Sequence, residues 1–203
     1  MARSPITDLP ADYVEVQHLV LTEPRLLFRL NLLGLIPLIL AVVAMGVYGA
    51  WIAPLRPSIP PERVPLPDVL MIVLVIVITL PLHELIHGLA ITYVGHKPTY
   101  GMKLDKGVLY ATADKALFRR DEYLMVALAP LMVITLAALL LLWIVPNGLV
   151  YWLSLAVVLN AGGAIGDLWA VGVVLRHPRS VLVRDEADGF RVFGRAAENK
   201  QGA

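Results

Sequence analysis

Pro81-Leu82-His83-Glu84-Leu85-Ile86-His87-Gly88 is the stretch whose reading decides the fold. It places two imidazoles and a carboxylate inside a run that is otherwise apolar enough to be a membrane-spanning helix. In helical geometry His83 and His87 stand one turn apart on one face, the spacing at which two ring nitrogens can share a tetrahedral zinc. Glu84 beside the first of them is placed to take a proton from a zinc-activated water, the general-base role of His-Glu-x-x-His in metalloproteases. Polar packing between helices and ligation of haem are the other readings of the two histidines, and haem needs no adjacent glutamate.

The chain around this stretch has 203 residues, 58% of them hydrophobic and 16% charged, with a mean hydropathy of +0.73. That departs from a soluble domain toward a single membrane domain. A net charge of +1 offers neither a polybasic nucleic-acid surface nor an acidic tail. Cysteine is absent, which excludes disulfides and thiolate ligands and leaves His and carboxylate to hold any zinc.

Outward from the motif, the apolar run from Asp68 through Met71 to Ile78 leads into His83 and ends at Gly95, predicting a span over 69–94. Upstream, no charged residue occurs between Leu30 and Ala53, long enough for a span over 30–53. The intervening Pro54, Pro57, Pro60, Pro61, Pro65 and Pro67 make an extended connector. Downstream come spans over 123–145 and 149–175, joined by the tight turn Pro146-Asn147-Gly148. The fold class expected is thus an all-α membrane protein of four transmembrane helices, with short β-hairpins in the cytoplasmic loop 95–122 and in the tail 176–203.

The loop hairpin is expected from Tyr100-Gly101-Met102-Lys103-Leu104 and Val108 to Thr112 around Asp105-Lys106-Gly107. It reads either as a solvent hairpin or as an edge strand that binds an extended peptide by strand addition. The tail hairpin pairs Val181 to Arg184 with Phe190 to Phe193 about an Asp-Gly turn, followed by a disordered end. In the N-terminal segment 1–29, Tyr13-Val14-Glu15-Val16 reads as a short strand or an interfacial stretch. No cleaved signal peptide is expected, and the first span is expected to serve as the targeting signal.

Lysine and arginine number three before the first span, two in the first loop, six in the second, none in the third and six in the tail. With both termini cytoplasmic, fifteen lie on one side and two on the other, which orients a multi-pass protein of the cell membrane by the positive-inside rule. The second and fourth spans then run the same way. The motif centre and Asp167 each lie roughly 14 to 15 Å from the cytoplasmic helix ends at 1.5 Å per residue.

Across the four apolar segments the Asp, Glu, His, Lys and Arg residues are His83, Glu84, His87 and Asp167. A charge at membrane depth costs at least about 2.5 kcal/mol, so such groups pair with each other or with a metal. Zinc accounts for all four: His83, His87 and Asp167 as ligands and Glu84 as base. The other reading of Asp167 is a carboxylate that orients a histidine.

Asn160 lies seven residues before Asp167, two turns along the same face of the expected helix. There it can donate to a substrate carbonyl or developing oxyanion as a catalytic residue, or make an interhelical hydrogen bond. Gly162, Gly163 and Gly166 reduce the bulk around Asp167. His18, His96 and His177 read as surface residues. Position 93 is Tyr, so a third histidine six residues after His87 is absent.

His83-Glu84-Leu85-Ile86-His87-Gly88 with Asn160 and Asp167 in a later span resembles the site-2 protease family of intramembrane zinc metalloproteases. That resemblance implies Asp167 as third ligand. The chain departs from the family in having Gly162-Gly163-Ala164-Ile165-Gly166-Asp167-Leu168 where the family has a proline-rich run and Leu-Asp-Gly, and it has no PDZ-like insertion. Over more of its length, through Tyr110-Ala111-Thr112, Ala127 to Pro130 and Gly166-Asp167, it is similar to a family of small four-span membrane proteins described as zincin peptidases. The expectation is a zinc-dependent intramembrane peptidase acting on a membrane protein or peptide substrate near the cytoplasmic side, with the lipid bilayer and no nucleic acid as partners. A zinc-binding membrane scaffold or chaperone is the alternative. A metal transporter would need further acidic or His residues along its path, which the spans lack.

Overall fold

The computed structural model describes residues 5–56, 66–103, 108–113 and 115–196. Positions 57–65 of the proline-rich connector, the turn of the loop hairpin and the tail's expected disordered end lie outside them. The chain divides into two compact units. One comprises Met1–Arg29, Glu84–Ala129 and Gly166–Ala203, and the other Leu30–His83 and Pro130–Ile165.

Strand β1 (Tyr13–Val20) opens the chain and is followed by helices α1 (Pro24–Leu33), α2 (Leu35–Ile52) and α3 (Asp68–Tyr93). Strands β2 (Thr99–Lys103), β3 (Val108–Thr112) and β4 (Phe118–Arg119) lead into α4 (Arg120–Leu141). Helices α5 (Asn147–Gly163) and α6 (Ile165–Val174) and strands β5 (Leu182–Glu186) and β6 (Gly189–Arg195) complete it.

The helix-bearing unit contains α2, α5 and the adjoining parts of α1, α3 and α4. Its sequence carries no amphipathic stripe, and its surface is apolar: Val47, Val69 and Leu140 are 66%, 74% and 72% exposed. The stretch Pro24–Leu55 and helices α3 and α4 are each long and apolar enough to cross a membrane. The pair α5 and α6 makes a fourth if the two count as one bent span. Helix α1 starts at Pro24, ahead of the uncharged run that begins at Leu30.

Inside this unit Met45, Ile52, Ala138, Leu142 and Val157 form a small buried cluster. Near it the Trp143 indole donates to the Tyr48 hydroxyl, which donates to the Leu139 carbonyl. Helices α2 and α5 approach closely where Gly162 faces Leu38. A Cβ there would stand 3.1 Å from a Leu38 methyl.

The other unit is built on a sheet. The chain is mostly helical with small antiparallel sheets, as expected, but the expected tail hairpin is the middle of a larger one: β1, β6, β5 and β4 form one four-stranded antiparallel sheet in that order, and β2 with β3 forms a separate pair. The hairpins fall where the turn residues place them. What composition did not reveal is that the N-terminal strand crosses the length of the chain to pair with β6, Tyr13 opposite Arg195 and Val20 opposite Gly189. That pairing requires glycine at 189, where a Cβ would come within 1.9 Å of the Leu19 carbonyl oxygen.

Val183, Val192 and Phe190 lie fully buried on one face of the sheet and pack with Ile91 of α3, Tyr123 and Val126 of α4 and Val173 and Val174 of α6. Leu182 and Phe193 on the opposite face pack with Leu117, Ile6 and Tyr13. One face is thus a packed core, while the other combines this small apolar patch with partly exposed charged pairs such as Arg191 with Glu15 and Glu186.

Candidate metal centre

Within the sheet-bearing unit, α3 carries Glu84 and the buried His87. His87 Nδ1 lies 3.0 Å from the Val126 carbonyl oxygen on α4. A carbonyl only accepts, so Nδ1 holds the proton and Nε2 presents its lone pair. That nitrogen stands 3.4 Å from Asp167 Oδ1. The separation is long for a direct hydrogen bond and equals the edge of a tetrahedron with bonds of about 2.0 to 2.1 Å, about 3.3 to 3.4 Å. Asp167 occupies the first turn of α6, where the helix N-terminus favours a carboxylate.

In the helix-bearing unit, His83 is buried, with Nδ1 2.9 Å from Asn160 Oδ1. Asn160, 2% exposed, donates its Nδ2 to the Pro130 carbonyl at 3.3 Å. That donation fixes the amide's orientation, so its oxygen accepts from His83 Nδ1–H and the lone pair of that ring is on Nε2. Of the two roles open to Asn160 from sequence, the interhelical hydrogen bond is the one displayed.

Helix α3 runs unbroken through both histidines, one turn apart. The ligand atoms of His83, His87 and Asp167 all lie within 4.8 Å of one another, the only such group of three or more His, Cys, Asp or Glu among the described residues. Two imidazoles whose Nδ1 protons are spent on oxygen acceptors, with one carboxylate, are a donor set that suits zinc.

The expected continuous helix from Asn160 to Asp167 is not present. Helix α5 ends at Gly163, its last bond running from the Ala164 N–H to the Asn160 carbonyl, and α6 begins afresh at Ile165. Glycines at 162, 163 and 166 depress helix propensity at that point. Gly163 and Gly166 have open space at their Cα atoms, so of the three only Gly162 serves close packing.

His96 also departs from expectation. It is buried, its ring 4.8 Å from Phe118 in a T-shaped contact, because Gly95 adopts φ +96° and turns the chain back into the core. Burial lowers its pKa, with Arg119 adding to the effect against the opposing charge of Glu122. His18 is exposed and His177 partly so.

The loop hairpin lies against the motif. Five residue pairs join β2 to β3, from Thr99 opposite Thr112 to Lys103 opposite Val108. Tyr100 reaches back over α3 so closely that a Cβ on Gly88 would stand 1.9 Å from its hydroxyl. The glycine that follows His87 is therefore what lets β2 lie on the motif's helix.

A residue that sequence reasoning passed over is Asp185. Paired with Phe190, it shares the core-facing side of the β5–β6 hairpin with Val183 and Val192; the Thr112 hydroxyl donates to its backbone carbonyl at 3.2 Å, and its carboxylate lies near Thr112 and the buried Tyr123. Burial raises its pKa from the ordinary 3.8 to about 7. The Thr112 hydroxyl and a charge on His87 oppose this, while the charges of Asp167 and Glu84 reinforce it. The signal was available: Val181, Val183 and Asp185 alternate in phase, which puts a carboxylate at an inward position of a strand.

A His, His, Asp group that could hold a metal, on and beside His-Glu-x-x-His, fits the zincin class of metalloproteases. The chain belongs to the family described as "Putative zincin peptidase", which matches residues 76–182, more than half of its length. No curated protein and no solved structure matches significantly.

Proposed function

We propose that this zincin is an intramembrane peptidase in which His83, His87 and Asp167 hold zinc and Glu84 acts as the base. The observation that carries the reading is that the Nδ1 of each histidine faces an oxygen acceptor, the Val126 carbonyl for one and the Asn160 amide for the other, while His83, His87 and Asp167 bring their ligand atoms within 4.8 Å of one another. Bound zinc would supply the Lewis acidity that polarises a peptide carbonyl and acidifies a water.

Glu84 takes one proton from the attacking water as its oxygen bonds to the carbonyl carbon, then gives that proton to the amine nitrogen as the C–N bond breaks. Asn160 is a positioning residue for His83. A helical substrate hides its scissile carbonyl, so the peptide must be extended, and the β2–β3 hairpin beside Gly88 is suited to hold it by strand addition.

Membrane-length helices and the excess of Lys and Arg on one side support a bilayer-embedded protein with both termini cytoplasmic, cleaving membrane or membrane-proximal peptides near that side. Glu84→Gln is expected to abolish cleavage, measured as new N-termini among membrane proteins of cells making each form, while the purified variant keeps about one zinc per chain. Retained cleavage would remove Glu84 from the role of base. Retained zinc in His83→Ala or Asp167→Ala would sink the ligand set. Because the chain has no cysteine, single cysteines at either end can be labelled from one side of the membrane to test the orientation.

A further inference from the structure

Pro130 lies in the interior of α4 and is fully buried, where a proline costs roughly 3 kcal/mol or more of helix stability. Its position relative to the two histidines gives it a task. In an α-helix the carbonyl of residue i accepts from the N–H of residue i+4. For Val126 that residue is Pro130, which has no N–H. The carbonyl so deprived is the one that His87 Nδ1 donates to at 3.0 Å. Pro130's own carbonyl, one turn further along, accepts the Asn160 amide whose oxygen takes the His83 Nδ1 proton. Pro81 shows the contrast: it too sits inside a helix, but its side chain is exposed.

We infer that Pro130 is a positioning residue of the metal centre: by withholding a backbone N–H from Val126 it turns that carbonyl to His87 and fixes the ring with Nε2 toward the metal. The inference rests on the reading of His83 and His87 as zinc ligands. The device acts on one histidine by what the residue lacks, whereas the bond to Asn160 depends only on a carbonyl that any residue at 130 would supply. The two histidines are therefore separable.

The test is Pro130→Ala in the full-length protein. The restored N–H competes for the Val126 carbonyl. Ring ¹⁵N spectra of the metal-free protein should show His87 losing its Nδ1–H form while His83 keeps its own. Zinc affinity, measured by competition with a chelator, should weaken about 10- to 100-fold, the usual effect of losing a group that orients a ligand. A backbone ester at 130, made with the hydroxy-acid analogue of alanine, lacks the N–H as proline does and should behave as wild type.

The proposal is overturned if Pro130→Ala keeps the His87 pattern and zinc affinity within about twofold, or if both histidines change together, as a general loosening of α4 would produce. Should Pro130→Ala not fold, the ester variant decides: wild-type tautomers support the proposal and their loss overturns it. A wild-type His87 protonated on Nε2 in the metal-free protein would also overturn it. The zinc reading fails separately, if His87→Ala binds zinc as tightly as wild type, whatever the ring spectra show.

Discussion

The two units use the same apolar residue types in opposite ways. In the sheet-bearing unit, Phe118, Phe190, Val183 and Val192 have no exposed surface and pack in one cluster with residues of α3, α4 and α6. In the helix-bearing unit, residues as large point outward along α2, α3 and α4, and few are buried. The difference teaches that hydrophobic content does not locate a core. One unit is completed by packing against itself. The other has backbone hydrogen bonds that close within each helix and an exterior suited to hydrocarbon.

The largest expected effect breaks the packed unit. Phe190→Ala should destabilise it by about 3 to 5 kcal/mol, read by denaturant unfolding in detergent, and a loss under 1 kcal/mol would show that the sheet is not packed as described. Next is Asp167→Ala, which should weaken zinc binding by more than about 100-fold, beyond the effect of groups that only orient a ligand. A smaller change would demote Asp167 to an orienting role.

Gly88→Ala sharpens the comparison on α3. The added methyl must displace Tyr100, so peptide cleavage should fall about tenfold, worth about 1.4 kcal/mol, with zinc retained. Adding Tyr100→Ala should then produce no further loss. Independent, additive losses would detach the hairpin from the site.

Asp185 makes the packed unit sensitive to pH. Its folded pKa of about 7 exceeds the unfolded value near 3.9, so between those values the folded state binds more protons and stability falls as pH rises through the window. In the metal-free protein the unfolding midpoint should drop from pH 5 to pH 8, and Asp185→Asn should flatten that drop. Equal slopes for the two proteins would remove the buried carboxylate as the cause. The smallest effect belongs to the outward-facing surface: Leu140→Ala, at a position 72% exposed, should change stability by less than about 0.5 kcal/mol.

Much of this was legible from residue order alone. The presence of α3 and α4, both strand pairs and the proximity of His83, His87 and Asp167 follow from local rules: apolar runs of membrane length, turn residues between alternating strands, and ionisable groups too costly to stand alone in an apolar segment. The break at Ala164 was less legible, since three glycines fit close packing as well as a helix end.

What tertiary structure alone decided has a common physical cause, which is partnership between residues far apart in the chain. That β1 belongs to the C-terminal hairpin depends on backbone pairing between residues as far apart as Tyr13 and Arg195, which no local propensity encodes. That His96 is buried and Asp185 faces a core depends on which layers cover the sheet. The chain's order of residues determined which side chains could serve as metal donors. The fold decided which acceptors, the Val126 carbonyl and the Asn160 amide, hold each histidine ring, because a tautomer is set by the neighbour that its second nitrogen meets.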